Sequence, residues 1–106
     1  MIYIKLHFTD EGSIIAICDE SLIGKELEDG EIYIDLNNYS DFYIGDLVDP
    51  LNYKKSFEIN DLNSANIVGE ESVKFAVEKG LILEDNIKYV DKVPYAHTYV
   101  IKTNKK

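Results

Sequence analysis

ANIVGEESV, residues Ala65–Val73, is the stretch on which the fold turns. An apolar run meets Gly69, and two acids then open a periodic segment. Glu70–Lys79 predicts a helix, because Val73, Ala76 and Val77 form an i, i+3, i+4 apolar stripe. Glu70 and Lys74 are spaced as a favourable i, i+4 pair, and Gly80 stands where a terminating glycine belongs. Phe75 lies off the stripe, which implies packing on more than one side of the helix. A strand–glycine–helix join is also where phosphate loops converge their N–H groups. Those loops need several glycines with Lys and Ser or Thr. Here Glu70 and Glu71 themselves suit the positive end of the helix dipole and oppose a bound anion. Gly69 therefore reads as the joint before a self-capped helix. Asn66 is left as a polar side chain that must be satisfied if buried, either by tying the turn to a neighbouring strand or by reading a small polar ligand.

Outward from this join, the pattern is mostly extended. Upstream, Asn66–Val68 reads as a short strand or extended link. Ile2, Ile4, Leu6 and Phe8 alternate with Tyr3, Lys5 and His7, the mark of a half-buried strand. Thr9–Gly12 has turn chemistry. Ser13–Cys18 (SIIAIC) is continuously apolar, as in a strand covered on both faces. Asp19–Gly24 predicts one helical turn, capped by Asp19 and ended by Gly24. Glu31–Leu36 predicts a strand with Ile32, Ile34 and Leu36 on one face. Residues 37–50 are turn-rich, their Tyr39, Phe42 and Tyr43 covering a core edge. Ser56–Ser64 predicts a second helix, weakened by Asn60, Asp61 and Asn63. Ile87–Val90 and Tyr95–Lys102 close the series as strands, with Pro94 at the entry to the last. The expectation is one α+β domain over 1–106: a mainly antiparallel sheet of about five strands, two helices packed on one side, and a flexible basic tail at 102–106.

Composition narrows the function. The 106 residues hold 20 Asp plus Glu against 11 basic residues, a net charge of −9. Every basic residue is lysine, and Lys102, Lys105 and Lys106 sit in the tail. An acidic body without arginine repels phosphate backbones and lacks the bidentate donor of base recognition, so no direct nucleic-acid binding is expected. The acid excess serves solubility or an acidic face for a basic protein partner. No run approaches the ~20 apolar residues of a membrane span. The N-terminus lacks a signal-peptide pattern, and a single cysteine, Cys18, rules out an internal disulfide. Cytoplasmic residence is the expectation.

Chemistry-bearing residues are few. Cys18 beside Asp19, at a strand end, has the position of an activated thiol, while its neighbours Ile15, Ala16 and Ile17 have the character of a core. His7 and His97 are the only imidazoles, and no CxxC or HExxH spacing exists, so neither metal nor cofactor is expected. Glu26, Glu28, Asp29 and Glu31 lack the periodicity of a calcium loop and read as a solvated face. No nucleophile, base and donor set can be assembled.

Four segments carry a family resemblance: MIYIKLH at the start, AICDESLIGK at Ala16–Lys25, NSANIVGEESVKFAVEKGLI at Asn63–Ile82 and KVPYAHTYVI at Lys92–Ile101. Together they resemble an uncharacterised archaeal family, domain of unknown function number 424. The resemblance implies a small cytosolic protein with no established activity and a setting near translation, and it carries over no catalytic residue. The family's last strand reads approximately V-P-H-A-Q. Tyr95 stands here at its histidine and His97 at its glutamine, which removes any imidazole mechanism at Tyr95.

Two functional expectations follow. The first is a non-enzymatic binding or adaptor protein, meeting a basic partner or a second copy of itself. The alternative is a small-ligand-binding protein or enzyme, with a pocket near Cys18, Asn66 and His97. Asp19, Gly69 and Glu70 complete the candidate residues, all at element ends where sites tend to lie.

Overall fold

The computed structural model describes residues 1–100. A six-stranded sheet has the order β5-β1-β2-β6-β8-β7, from β1 (Ile2–Thr9), β2 (Gly12–Asp19), β5 (Asp46–Val48), β6 (Leu62–Val68), β7 (Lys88–Val90) and β8 (Val93–Tyr99). A separate hairpin pairs β3 (Glu26–Asp29) with β4 (Ile32–Asp35). The one α-helix among the described residues, α1 (Glu70–Glu78), follows β6 at Gly69. All pairings are antiparallel except that of β2 with β6.

The opening hairpin, the helix at Glu70 and the final antiparallel strands match the sequence reading. Three expectations need correction. Eight strands stand among the described residues rather than about five, because β3 and β5 carry too little apolar periodicity to be recognised. There is one α-helix rather than two: Ser56–Ser64 forms only a 3-10 turn at Ile59–Asp61 and then enters β6. Asn60, Asp61 and Asn63 offer the backbone non-helical hydrogen-bonding alternatives, and Leu62, Ala65 and Ile67 gain more from burial in the sheet. The alternation there is hidden by a register shift opposite Ser13 and Ile14. Finally, the two sheet faces are covered by different elements, so helices alone do not cover the sheet.

Ser13–Cys18 is buried on both sides as its apolar run implies. Ile15 and Ile17 join Ile2, Ile4, Ala65 and Ile67 beneath Val73, Phe75 and Ala76 of α1. Ala16 and Cys18 face the opposite way and pack with Val68, Val90 and Tyr95 under Leu27, Ile34, Leu36 and Tyr43. Phe75, off the stripe, is buried after all. Tyr53 and Phe57 approach its ring edge-on, with centroids 5.3 and 6.1 Å away. They belong to an irregular strap anchored by Lys79, whose Nζ donates to the Tyr53 and Lys55 carbonyls. The strand expected over Tyr95–Lys102 begins two residues earlier, at Val93. Its last two residues and the tail at 102–106 lie outside the described residues.

Candidate functional site

The glycine joint of ANIVGEESV and the first turn after it meet the end of β2. Asp19 is the last residue of that strand and is almost wholly buried. Its Oδ1 accepts the Ser72 N–H at 2.8 Å and the Ser72 hydroxyl at 2.7 Å, and its Oδ2 accepts the Glu71 N–H at 3.2 Å. These are the N–H groups that an N-cap side chain ordinarily satisfies. Gly69 occupies the N-cap position and has no side chain, so a carboxylate from a distant strand supplies the cap. The glycine permits this for two reasons. Its φ of 112° and ψ of 157° suit glycine alone. A Cβ at this position would also lie 2.6 Å from Asp19 Oδ2 and nearer still to its Cγ and Oδ1.

This geometry replaces two sequence expectations. Asp19 caps α1 rather than the 3-10 turn Glu20–Leu22 that follows it, where no side-chain cap forms. The positive helix terminus, expected to be self-capped through Glu70 and Glu71, is instead capped by the Asp19 carboxylate of β2. Glu70 stays exposed beside this cap. It forms no ion pair with Lys74, and the one ion pair among the described residues joins the Met1 amino group to Glu71 at 3.1 Å. Ser72, fully buried at the centre of the cap, went unrecognised in the sequence. A serine two residues after the acid of GE was the available signal.

Cys18 is turned to the opposite face. It is fully buried beside Tyr43, its Sγ donates weakly to the Asp19 carbonyl at 3.4 Å, and burial followed by the Asp19 charge pushes the thiol up to about 12. It is a packed hydrophobe with no thiolate character at neutral pH. A bulky thiol reagent should label the native protein only at its unfolding rate. Reaction at the rate of an exposed thiol would contradict the packing. The shifted thiol also makes the fold alkali-sensitive. The unfolded thiol ionises near pH 9 and the folded one near pH 12, so the folded state holds the extra proton across that window. Stability is undiminished below pH 9 and falls as pH rises toward 12, by up to about 4 kcal/mol. Denaturation curves of the wild type and Cys18→Ala at pH 8 and 11 check this, the variant losing the smaller increment.

Asn66 and His97 are cross-strand neighbours on β6 and β8, on the same face as Cys18, and His97 borders the β3–β4 hairpin. Asn66 is half-buried, and His97 is exposed at its edge. The sheet surface crowding the His97 imidazole lowers its pKa, so the ring is neutral at pH 7. His97 opens on a cavity of about 340 Å³ lined also by Tyr33, Asp35, Tyr39, Phe42 and Tyr43. The structure thus separates the six candidates into three places. Asp19, Gly69 and Glu70 converge at the helix cap, Cys18 lies in the core, and Asn66 and His97 stand on the open sheet face. Neither Cys18, which is fully buried, nor Asn66 lines the cavity at His97.

A cavity of about 440 Å³ lies between α1 and β7. Val73, Val77, Ile87 and Pro94 form its floor, and Glu70, Glu78 and Glu84 stand around it with Lys74. Among the described residues no cluster of three His, Cys, Asp or Glu side chains is arranged to hold a metal ion. No helix there is long and apolar enough to cross a membrane.

These features define a small α+β domain whose buried polar constellation serves the fold. The chain belongs to the family described as protein of unknown function (DUF424), which it matches over residues 6–101. It is similar in fold to an uncharacterized conserved protein from Methanopyrus kandleri, with a TM-score of 0.74 and 23 % identity over 99 % of this chain and 96 % of that one. Comparison with curated proteins finds no match.

Proposed function

We propose that this protein is a non-enzymatic binding module that docks a basic segment of a protein partner in the groove between α1 and β7. The observation that carries the reading is the groove's composition: an apolar floor among three carboxylates and a single lysine. Such a surface buries the apolar side chains of a partner while the glutamates select against acidic ones. β7 is also the edge of its sheet, so its outer backbone groups can pair with an added strand. The chain's net charge of −9 acts in the same direction at long range. Basic proteins of the translation apparatus have the required chemistry, and the family resemblance implies that setting. The cytoplasm is the matching compartment, since it keeps a lone thiol such as Cys18 reduced.

A ten-residue peptide alternating lysine and leucine is a suitable probe. It should bind at low ionic strength, and the triple variant Glu70→Lys, Glu78→Lys, Glu84→Lys should bind more than about tenfold more weakly. All three positions are exposed, so the variant should retain the fold. Equal affinity of the folded variant and the wild type would end the assignment to this groove. A second reading, a small-ligand site on the open sheet face, retains His97 from the sequence candidates and drops Cys18.

A further inference from the structure

The cavity at His97 has no role in the groove's proposed function, and the fold does not account for its rim. Tyr39 is 68 % exposed and Tyr33 is 53 % exposed. Large aromatic rings left in water at a cavity mouth invite a ligand that covers them. Phe42 and Tyr43 form the deeper wall, edge to face with centroids 5.1 Å apart. The wall is rigid: Phe42 also stacks on His7 at 4.3 Å, and the His7 Nε2 is 2.8 Å from the Phe42 carbonyl oxygen.

Charge at the cavity has one sign. No lysine among the described residues lines it, and Asp35 does. Asp35 accepts the N–H groups of Asn37 and Asn38 on Oδ1 and the Asn38 amide on Oδ2. Those bonds fix the carboxylate and, led by the Asn38 backbone, hold its pKa below the usual range. The Tyr33 hydroxyl donates to Glu26 Oε1 at 2.7 Å, which keeps the phenol protonated and its ring at the rim. The imidazole of His97 adds no positive charge at neutral pH.

We infer that the cavity bounded by Tyr33, Tyr39, Phe42, Tyr43, His97 and Asp35 binds a substituted ammonium ion of a small molecule. Aromatic faces attract a cation through their quadrupoles when it sits within about 6 Å of the ring centroids. The attraction is greatest for an ion whose alkyl groups make desolvation cheap, and the nearby carboxylate completes the charge match. The same chemistry appears inside the fold, where Lys79 Nζ lies 5.4 Å from the Tyr53 centroid and 5.7 Å from that of Phe75. A phosphate-bearing ligand is disfavoured here by the same carboxylate.

Choline and its uncharged carbon isostere, 3,3-dimethylbutan-1-ol, isolate the charge because the two share a shape. In an NMR titration choline should shift the side-chain resonances of Tyr33, Tyr39, Phe42, Tyr43 and His97, and the isostere should bind about tenfold more weakly. Tyr33→Leu and Tyr39→Leu retain apolar bulk at exposed positions, so they should fold normally and each weaken choline by about tenfold. The triple glutamate variant of the α1 groove should leave choline affinity unchanged, which separates this site from the docking groove. Equal binding of choline and the isostere would overturn the inference, as would unmoved aromatic resonances. Shifts produced by a peptide-borne lysine and not by choline would overturn the small-molecule assignment.

Discussion

Gly69→Ala should destabilise the domain by about 3 kcal/mol or more, and the same substitution should cost less in a protein whose Asp19 is already alanine. The single substitution combines two costs. The backbone at φ 112° and ψ 157° is strained for any residue with a side chain, at roughly 1–3 kcal/mol. The new methyl also falls on the Asp19 carboxylate, which has no space to retreat because it is buried and holds three hydrogen bonds. Asp19→Ala alone should cost about 3 kcal/mol, since it strips a charged acceptor from the Glu71 and Ser72 N–H groups and from the buried Ser72 hydroxyl. In the double variant the clash is gone and only the backbone strain is added. Urea denaturation of the four proteins forms a double-mutant cycle. Strongly sub-additive losses support the trans cap, and additive losses would show that the two residues act independently.

Phe75→Ala should cost about 3–5 kcal/mol, the usual range for deleting a buried phenylalanine. The ring is 2 % exposed and is enclosed by Tyr53 and Phe57, which themselves stack 5.6 Å apart. Its loss empties the contact that joins the irregular strap to α1. The midpoint of thermal unfolding should drop by on the order of 20 °C. Hydrogen exchange around Tyr53 to Phe57 should accelerate more than exchange in β1 and β2. A uniform acceleration across the sheet would show that the strap is not a separately held unit.

These two sites also mark how far residue patterns reach. The helix from Glu70 was legible because its start, its apolar stripe and its terminating glycine all lie within eleven residues. The hairpin of β1 and β2 was legible for the same reason, and its continuous apolar run announced two covered faces. The helix expected over Ser56–Ser64 failed where local propensity and long-range burial conflict. That segment makes its main contacts with β2 and β8, strands far away in the chain. The short strands β3 and β5 present too few buried side chains to leave a periodic trace.

The candidate site divides in the same way. Asp19, Gly69 and Asn66 were recognisable as residues out of keeping with their surroundings. Tyr39, Phe42 and Tyr43 were legible only as edge cover, and Tyr33 only as a residue of the strand Glu31–Leu36, because a cavity wall has no sequence period. Their convergence on His97 depends on how the β3–β4 hairpin lies over the sheet.

The sequence by itself determined an acidic, arginine-free chain, the helix after Gly69, the β1–β2 hairpin and the absence of any local catalytic or metal-binding motif. Those properties reside in single residues or in neighbours a few positions apart. Only the tertiary structure decided that Asp19 caps a helix 50 residues away, that Cys18 faces the core and His97 does not, and that a parallel β2–β6 pairing joins the two halves. The reason is physical: a carboxylate is indifferent to chain distance when buried N–H groups need an acceptor, and the strand register that brings them together is fixed by burial across the whole sheet.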